Sequence, residues 1–212
     1  MVKSLPLGDV TFVVVDIETT GSAPARHAMT EIGAVKIQGQ KIVDRFDQLM
    51  DPKQDIPWFI QRLTGITPKM VKGAPPVEAV LPRFMDFLGD SIFVAHNVSF
   101  DFGFVAAKTQ AHMGLTLENI QLCTCRLARK LLPDLKKKNL GAVAQYMGIP
   151  IENRHRALGD AQATALVLIE FIRILETAGL TTLDDLMDPP RLLLDQLDAP
   201  FRDAEVEFYM RA

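Results

Sequence analysis

The chain has 212 residues, 48% of them hydrophobic and 23% charged, the make-up of an ordinary soluble globular protein with room for one large core and a short appendage. Its net charge of −3 excludes a protein that coats nucleic acid by bulk attraction, so any phosphate chemistry must rest on local cations. Two cysteines at 123 and 125 make no disulfide framework, the start "MVKSLPLGDV" lacks a signal peptide's apolar core, and no apolar run reaches membrane-spanning length; the expectation is a cytoplasmic protein with no membrane partner.

In chain order, residues 11 to 16 are predicted as a strand that runs into "VVVDIETTG", residues 13 to 21. β-Branched residues suit a buried strand, yet this one leads into two carboxylates. Side chains alternate along a strand, so Asp16 and Glu18 share a face a few ångströms apart while Ile17 points the other way. Such a pair is tolerable if water solvates it, if one acid holds a proton, or if a cation sits between them. The segment "EIGAVKIQGQKIVDRFDQLM" is predicted as a hairpin turning at Gly39, so the sheet opens with an antiparallel part. A helix follows over "PPVEAVLPRFMDFLG" despite Pro82, with Pro75 or Pro76 near its start and Gly89 after its end.

Next come the short strand "SIFVAH" and a helix over "SFDFGFVAAKTQAHMG", capped by Ser99 and closed at Gly114. A strand at "NIQLCT" leads to helices at about 124–132 and 139–147. The longest helix is predicted from Ala157 to Thr177, with Ala161, Ala165, Leu168, Ile169, Ile172 and Leu175 on its apolar face. Beyond Gly179 the chain turns acidic and proline-spotted. The expected division is therefore a domain over residues 1–179 and an appendage, a candidate partner-binding tail, over 180–212.

Three chemistry-bearing segments stand at element ends: Asp16-x-Glu18-Thr19-Thr20-Gly21 after the first strand, "AHNVSFD" with Asp101 in a first helical turn, and "HRALGDA" with His155 and Asp160 at the start of the long helix. In an open α/β sheet such ends gather along one edge, where ligands bind. Each segment has an ordinary explanation taken singly. An Asp-x-Glu pair suits a solvated turn, first-turn acids complement the helix dipole, and His155 lies between two arginines. By the same standard Lys136 to Lys138 suit a solvated helix start, and Cys123-x-Cys125 lacks the second ligand pair of a zinc site. These explanations do not account for acids from all three segments on one edge, with a histidine five residues before the last.

Together "DIETTG", "AHNVSFD" and "HRALGDA" resemble, in order and separation, the three motifs of the DEDDh (DnaQ-like) family of 3′-to-5′ exonucleases, over about residues 9 to 178. That family includes the proofreading subunit of bacterial replicative DNA polymerase and ribonuclease T. The resemblance implies a ribonuclease-H-like α/β fold: a mixed sheet, antiparallel in its first three strands, flanked by helices. It also implies two divalent cations, Mg²⁺ or Mn²⁺, which prefer oxygen ligands and can stabilise charge on the attacking and leaving oxygens of a phosphodiester. By that likeness Asp16 bridges both ions, Glu18 and Asp160 complete one site, and Asp101 acts on the other through water. His155 takes the role of general base, since imidazole exchanges a proton near neutral pH.

Substrate contacts implied by the family are Thr19 and Thr20, the wedge Leu63 with Thr64 in "RLTGIT", and Asn97 and Phe100 of the second motif. Many proofreading relatives carry histidine where Thr64 stands. The expected activity is 3′-to-5′ exonuclease action on single-stranded or frayed DNA in replication or repair. Alternatives are a ribonuclease T-like exoribonuclease acting on RNA 3′ ends and an inactive polymerase-binding module, against which the five intact acid and histidine positions argue. Expected partners are nucleic-acid 3′ ends, a DNA polymerase subunit and a sliding clamp. The last rests on "QLDAPF", residues 196 to 201, where Gln196, Leu197 and Phe201 resemble a clamp-docking peptide; the alternative is that Leu197 and Phe201 pack back on the domain.

Overall fold

A computed structural model describes residues 5–190. Its centre is one five-stranded sheet of β1 (Thr11–Thr19), β2 (Met29–Gln38), β3 (Lys41–Leu49), β4 (Ile92–Ala95) and β5 (Gln121–Cys123), in the spatial order β3-β2-β1-β4-β5. β1 pairs antiparallel with β2, and β2 with β3, whereas β4 and β5 join β1 in parallel. This is the mixed sheet with an antiparallel opening that the sequence implied. The β2–β3 hairpin turns through Gly39 and Gln40, both at positive φ (52° and 60°), the backbone twist that a two-residue hairpin loop requires.

Helices cover both faces: α1 (Trp58–Thr64), α2 (Pro68–Val71), α3 (Val77–Leu88), α4 (Val98–Met113), α5 (Thr124–Leu131), α6 (Leu140–Tyr146), α7 (Ala157–Thr177) and α8 (Leu183–Met187). Alternation along β1 decides which face each residue serves. Phe12 and Val14 join α5, α6 and α7 in one core, while Val13, Val15 and Ile17 join α3 and α4 in the other. By the same parity Asp16 and Glu18 face α7.

Several expectations need correction. β1 continues to Thr19 rather than stopping at 16, so both acids lie within the strand, opposite Gly33 and Glu31 of β2. The N-cap of α4 is Asn97, not Ser99. The short helices α1 and α2, which pack Ile56, Ile60, Ile66 and Val71 beside Leu49, were not anticipated, because seven and four residues carry too little periodicity to detect. The first residues of the expected appendage touch the domain: Leu183 N–H bonds to Leu5 O, Leu7 N–H bonds to Thr181 O, and Leu186 is buried, while the division at residue 179 stays an expectation. The peptide "QLDAPF" lies outside the described residues. No helix among the described residues is long and apolar enough to cross a membrane.

Candidate active site

β1 carries Asp16 and Glu18 to the edge of the sheet, and the first turn of α7 brings Asp160 against them. One carboxylate oxygen from each of the three lies within 4.8 Å of the others. Two glycines permit this approach. A Cβ on Gly33, directly across from Asp16, would sit 2.2 Å from the Leu158 backbone nitrogen, and one on Gly159 would sit 2.0 Å from Glu152 O. Both obstacles are backbone that cannot swing aside, so glycine at 33 lets α7 start this close to β2 and glycine at 159 lets the loop at Glu152 fold against its first turn.

Asp101 arrives from the opposite layer. β1 and β4 pair only from Phe12–Ile92 to Val14–Val94, after which β4 turns into α4. Ile17 N–H, beyond that split, donates instead to Asp101 Oδ1 at 3.2 Å. Asp101 therefore closes the open end of the sheet through Oδ1. Asp160 is anchored in the same way: Oδ2 accepts from His155 N–H at 3.0 Å. That bond winds the lead-in to α7 tightly, with His155 itself in the left-handed region at φ 65°. His155 is half-buried beside the acids.

Burial and mutual crowding raise the pKa of all four carboxylates. Burial first, then the charges of Asp101, Glu18, Asp160 and Glu31, raise Asp16 well above the carboxylate range. Glu18 rises from the ordinary 4.5 to about 8, through burial and then Asp160, Glu31 and Asp101. Burial also lifts Asp101 to about 7 against the opposing hydrogen bonds, and raises Asp160. This all-oxygen donor set fits a hard divalent cation, whose charge would relieve the crowding of the carboxylates. Asp16, Glu18 and Asp160, with Asp101 across the split, are the residues that would hold it.

A stability prediction follows from the sign of these shifts. A folded-state pKa raised above its unfolded value means that the folded chain binds more protons, so stability is lost as pH rises. For the metal-free protein the loss spans about pH 4 to pH 8, between the ordinary carboxylate values and the raised values of Asp101 and Glu18. In EDTA the melting temperature should fall across that window, and Mg²⁺ or Mn²⁺ should restore it at pH 8. A melting curve that ignores both pH and metal would refute a charged, metal-relieved cluster.

The expected substrate contacts divide into two groups. Leu63 is 53% exposed on the outer side of α1, and Asn97 is exposed at the start of α4. Thr19, Thr20 and Thr64 are buried with their hydroxyls turned inward. Thr19 Oγ1 donates to Gly21 O, Thr20 Oγ1 accepts from Ala28 N–H and Gln54 Nε2, and Thr64 Oγ1 donates to Ile60 O while accepting from Ile66 N–H. Phe100 is half-buried, its ring tilted at 50° against Phe104 with centroids 5.1 Å apart. The backbone is engaged too, since Thr20 N–H donates to Ala28 O at 2.9 Å and Thr19 pairs with Met29.

Sequence reasoning missed Glu31 and Arg156. Glu31 is only 1% exposed and sits directly across from Glu18, a like-charge cross-strand pair that repels. Arg156 answers it: the guanidinium grips both Glu31 carboxylate oxygens, and Ala157 N–H donates to Oε2 at 2.9 Å. The clamp fixes the first turn of α7, and with it His155 and Asp160, to β2. A signal was present, since arginine next to the motif histidine and glutamate two before Gly33 are both legible, but nothing local says that they meet.

His96 was missed too. Nε2 must donate to Lys138 O at 2.8 Å, so Nδ1 accepts from the Thr124 hydroxyl at 2.9 Å, and burial pushes its pKa down. It ties the loop before α6 to the ends of β4 and β5. Cys123 and Cys125 are free thiols that donate to His96 O and Lys138 O.

Comparison with known proteins agrees with this geometry. The family profile described as "Exonuclease" matches residues 13–168. The chain is 51% identical over 160 residues to a DNA polymerase III PolC-type protein of Clostridium perfringens, covering 76% of this chain but 11% of that much longer one. It is 42% identical over 168 residues to the DNA polymerase III subunit epsilon of Aquifex aeolicus, covering 79% of this chain and 82% of the relative. Among solved structures, exonuclease X in complex with 5′ overhanging duplex DNA superposes with a TM-score of 0.64 at 28% identity, over 84% of this chain and 98% of that one. With a family match that spans most of the chain, and an epsilon-subunit relative covered over most of its length, this protein belongs to the DnaQ-like exonuclease family.

Proposed function

We propose that the chain is a metal-dependent 3′-to-5′ exonuclease that removes nucleotides from single-stranded or frayed DNA ends in replication proofreading or repair. The observation that carries this reading is the convergence of Asp16, Glu18 and Asp160 within 4.8 Å at the end of β1, with Asp101 bonded across the split and His155 beside Asp160. Relatives named as polymerase III proteins, and a solved relative bound to DNA, support DNA and a polymerase subunit as partners. Such a role belongs in the cytoplasm.

In this reading Asp16, Glu18, Asp160 and Asp101 would hold two divalent cations, Mg²⁺ or Mn²⁺. Bound there, the ions supply Lewis-acid stabilisation of charge developing on the phosphoryl oxygens. The chain's own groups do the rest. His155 is held at the rim by its backbone bond to Asp160 and by the Glu31–Arg156 clamp, and takes the proton from the attacking water. Leu63, exposed on α1, wedges against the terminal base, and Asn97 with the turn that follows Glu18 lines the nucleotide.

The test is polarity. A 5′-labelled single strand with Mg²⁺ should give a ladder that shortens from the 3′ end, a 3′-terminal phosphate should block it, and matched RNA should be degraded more slowly. Cutting of circular single strands would refute an exonuclease that needs a free end, and faster RNA degradation would move the substrate assignment to RNA.

A further inference from the structure

The outer side of α1 exposes side chains that folding normally hides. Trp58, the chain's single tryptophan, is 69% exposed, its neighbour Phe59 is 57% exposed, and Met70 of α2 is also exposed. The helix is well anchored on its inner side, where Thr64 is buried and Ile60 packs on Ile56, Ile66 and Val71. The exposure is therefore a property of one face and not of a loose segment. On that face Trp58 and Arg62, and Phe59 and Leu63, are four residues apart and lie side by side. A cluster of this kind on a folded chain marks a contact surface.

Charge indicates what it contacts. Arg62 lies one turn from Trp58, and Lys69 and Lys72 of the segment that follows are exposed as well, against one exposed acid, Asp55, just before the helix, a local excess of cations in a chain of net −3. Aromatic rings among cations suit single-stranded nucleic acid, whose bases stack while its phosphates are neutralised. Position agrees: Gln54, just before α1, donates from Nε2 to Thr20 Oγ1 at 2.7 Å, tying the base of this helix to the turn that follows Glu18.

We propose that Trp58, Phe59 and Arg62 form a stacking platform on which bases upstream of the 3′-terminal nucleotide rest, extending the grip beyond Leu63. This rests on the nucleic-acid reading above. The platform is sequence-tolerant, because every base offers a flat face, and it places a nucleic-acid grip outside the acidic site.

The single tryptophan makes the test direct. The full chain is titrated with thymidylate oligonucleotides of two to eight residues in Ca²⁺, followed by tryptophan fluorescence, beside an eight-residue strand lacking its bases. Saturable quenching that strengthens with length and needs the bases is expected. By anisotropy of a labelled eight-mer, Trp58→Ala and Phe59→Ala should each weaken binding roughly tenfold, the usual weight of a stacked base. Trp58→Phe should stay within about threefold, and Arg62→Ala should lower the salt dependence by about one counterion. These positions are exposed, so the variants should fold, and melting curves check that they do.

Unchanged affinity in Trp58→Ala, equal quenching by the base-free strand, or no quenching would overturn the platform. So would variants that bind the oligonucleotide normally yet lose association with a polymerase subunit, which would make the face a protein interface. Wild-type hydrolysis of thymidine 5′-monophosphate p-nitrophenyl ester in Mn²⁺ is measured alongside. Its absence counts against the proposed activity, whereas its presence with unaltered binding in the variants overturns the platform alone.

Discussion

Asp16→Ala and Asp160→Ala should each lower Mg²⁺- or Mn²⁺-dependent degradation by roughly a thousandfold or more. Each removes an oxygen from the cluster within 4.8 Å, and metal stabilisation of transition-state charge contributes several kcal/mol. Neither loss should unfold the chain. Burial and its four acidic neighbours hold Asp16 well above the carboxylate range, so in the metal-free protein Asp16→Asn should raise the melting temperature at pH 8 while abolishing activity. A site strained by like charge and relieved by its ligand behaves in this way. Activity near wild type in either alanine variant, with metal present, would refute the metal-site assignment, and a lower melting temperature in Asp16→Asn would refute the repulsion.

His155→Ala should lower kcat by roughly a hundredfold or more with little change in KM, the usual weight of a general base that does not hold the substrate. Its backbone lies at φ 65°, where asparagine is far more comfortable than alanine. His155→Asn therefore separates lost proton transfer from strain in the turn. Both variants should lose kcat to a similar extent if the imidazole is the base. Recovery in the asparagine variant alone would make the position structural, and wild-type turnover at pH 7 in both would reassign the base.

The extent of α7, Ala157–Thr177, was legible because a 21-residue amphipathic run outweighs local ambiguity. The hairpin was legible at Gly39 because turns require particular residues. The three motif segments were legible because strand ends and helix starts gather at one edge whatever the detailed packing. Asp16 and Glu18 sharing a face follows from strand alternation alone.

Other features depended on residues far apart in the chain. Whether β1 stops at 16 or runs to Thr19 depends on β2 pairing beside it as far as Met29, information that no window around Asp16 contains. The Glu31–Arg156 clamp joins positions 125 apart in sequence, and the Asp101–Ile17 bond joins positions 84 apart. In each, a polar group takes a particular side chain as partner because the sheet splits or a helix lands there. The exposure of Trp58 and Phe59 was equally invisible, since an aromatic pair in sequence reads as core. Local sequence carries propensity and periodicity, which determined the elements and the order of the motif acids. Only the packed chain decides which buried charges meet and which apolar faces are left bare, because both depend on the surface each residue loses to distant neighbours.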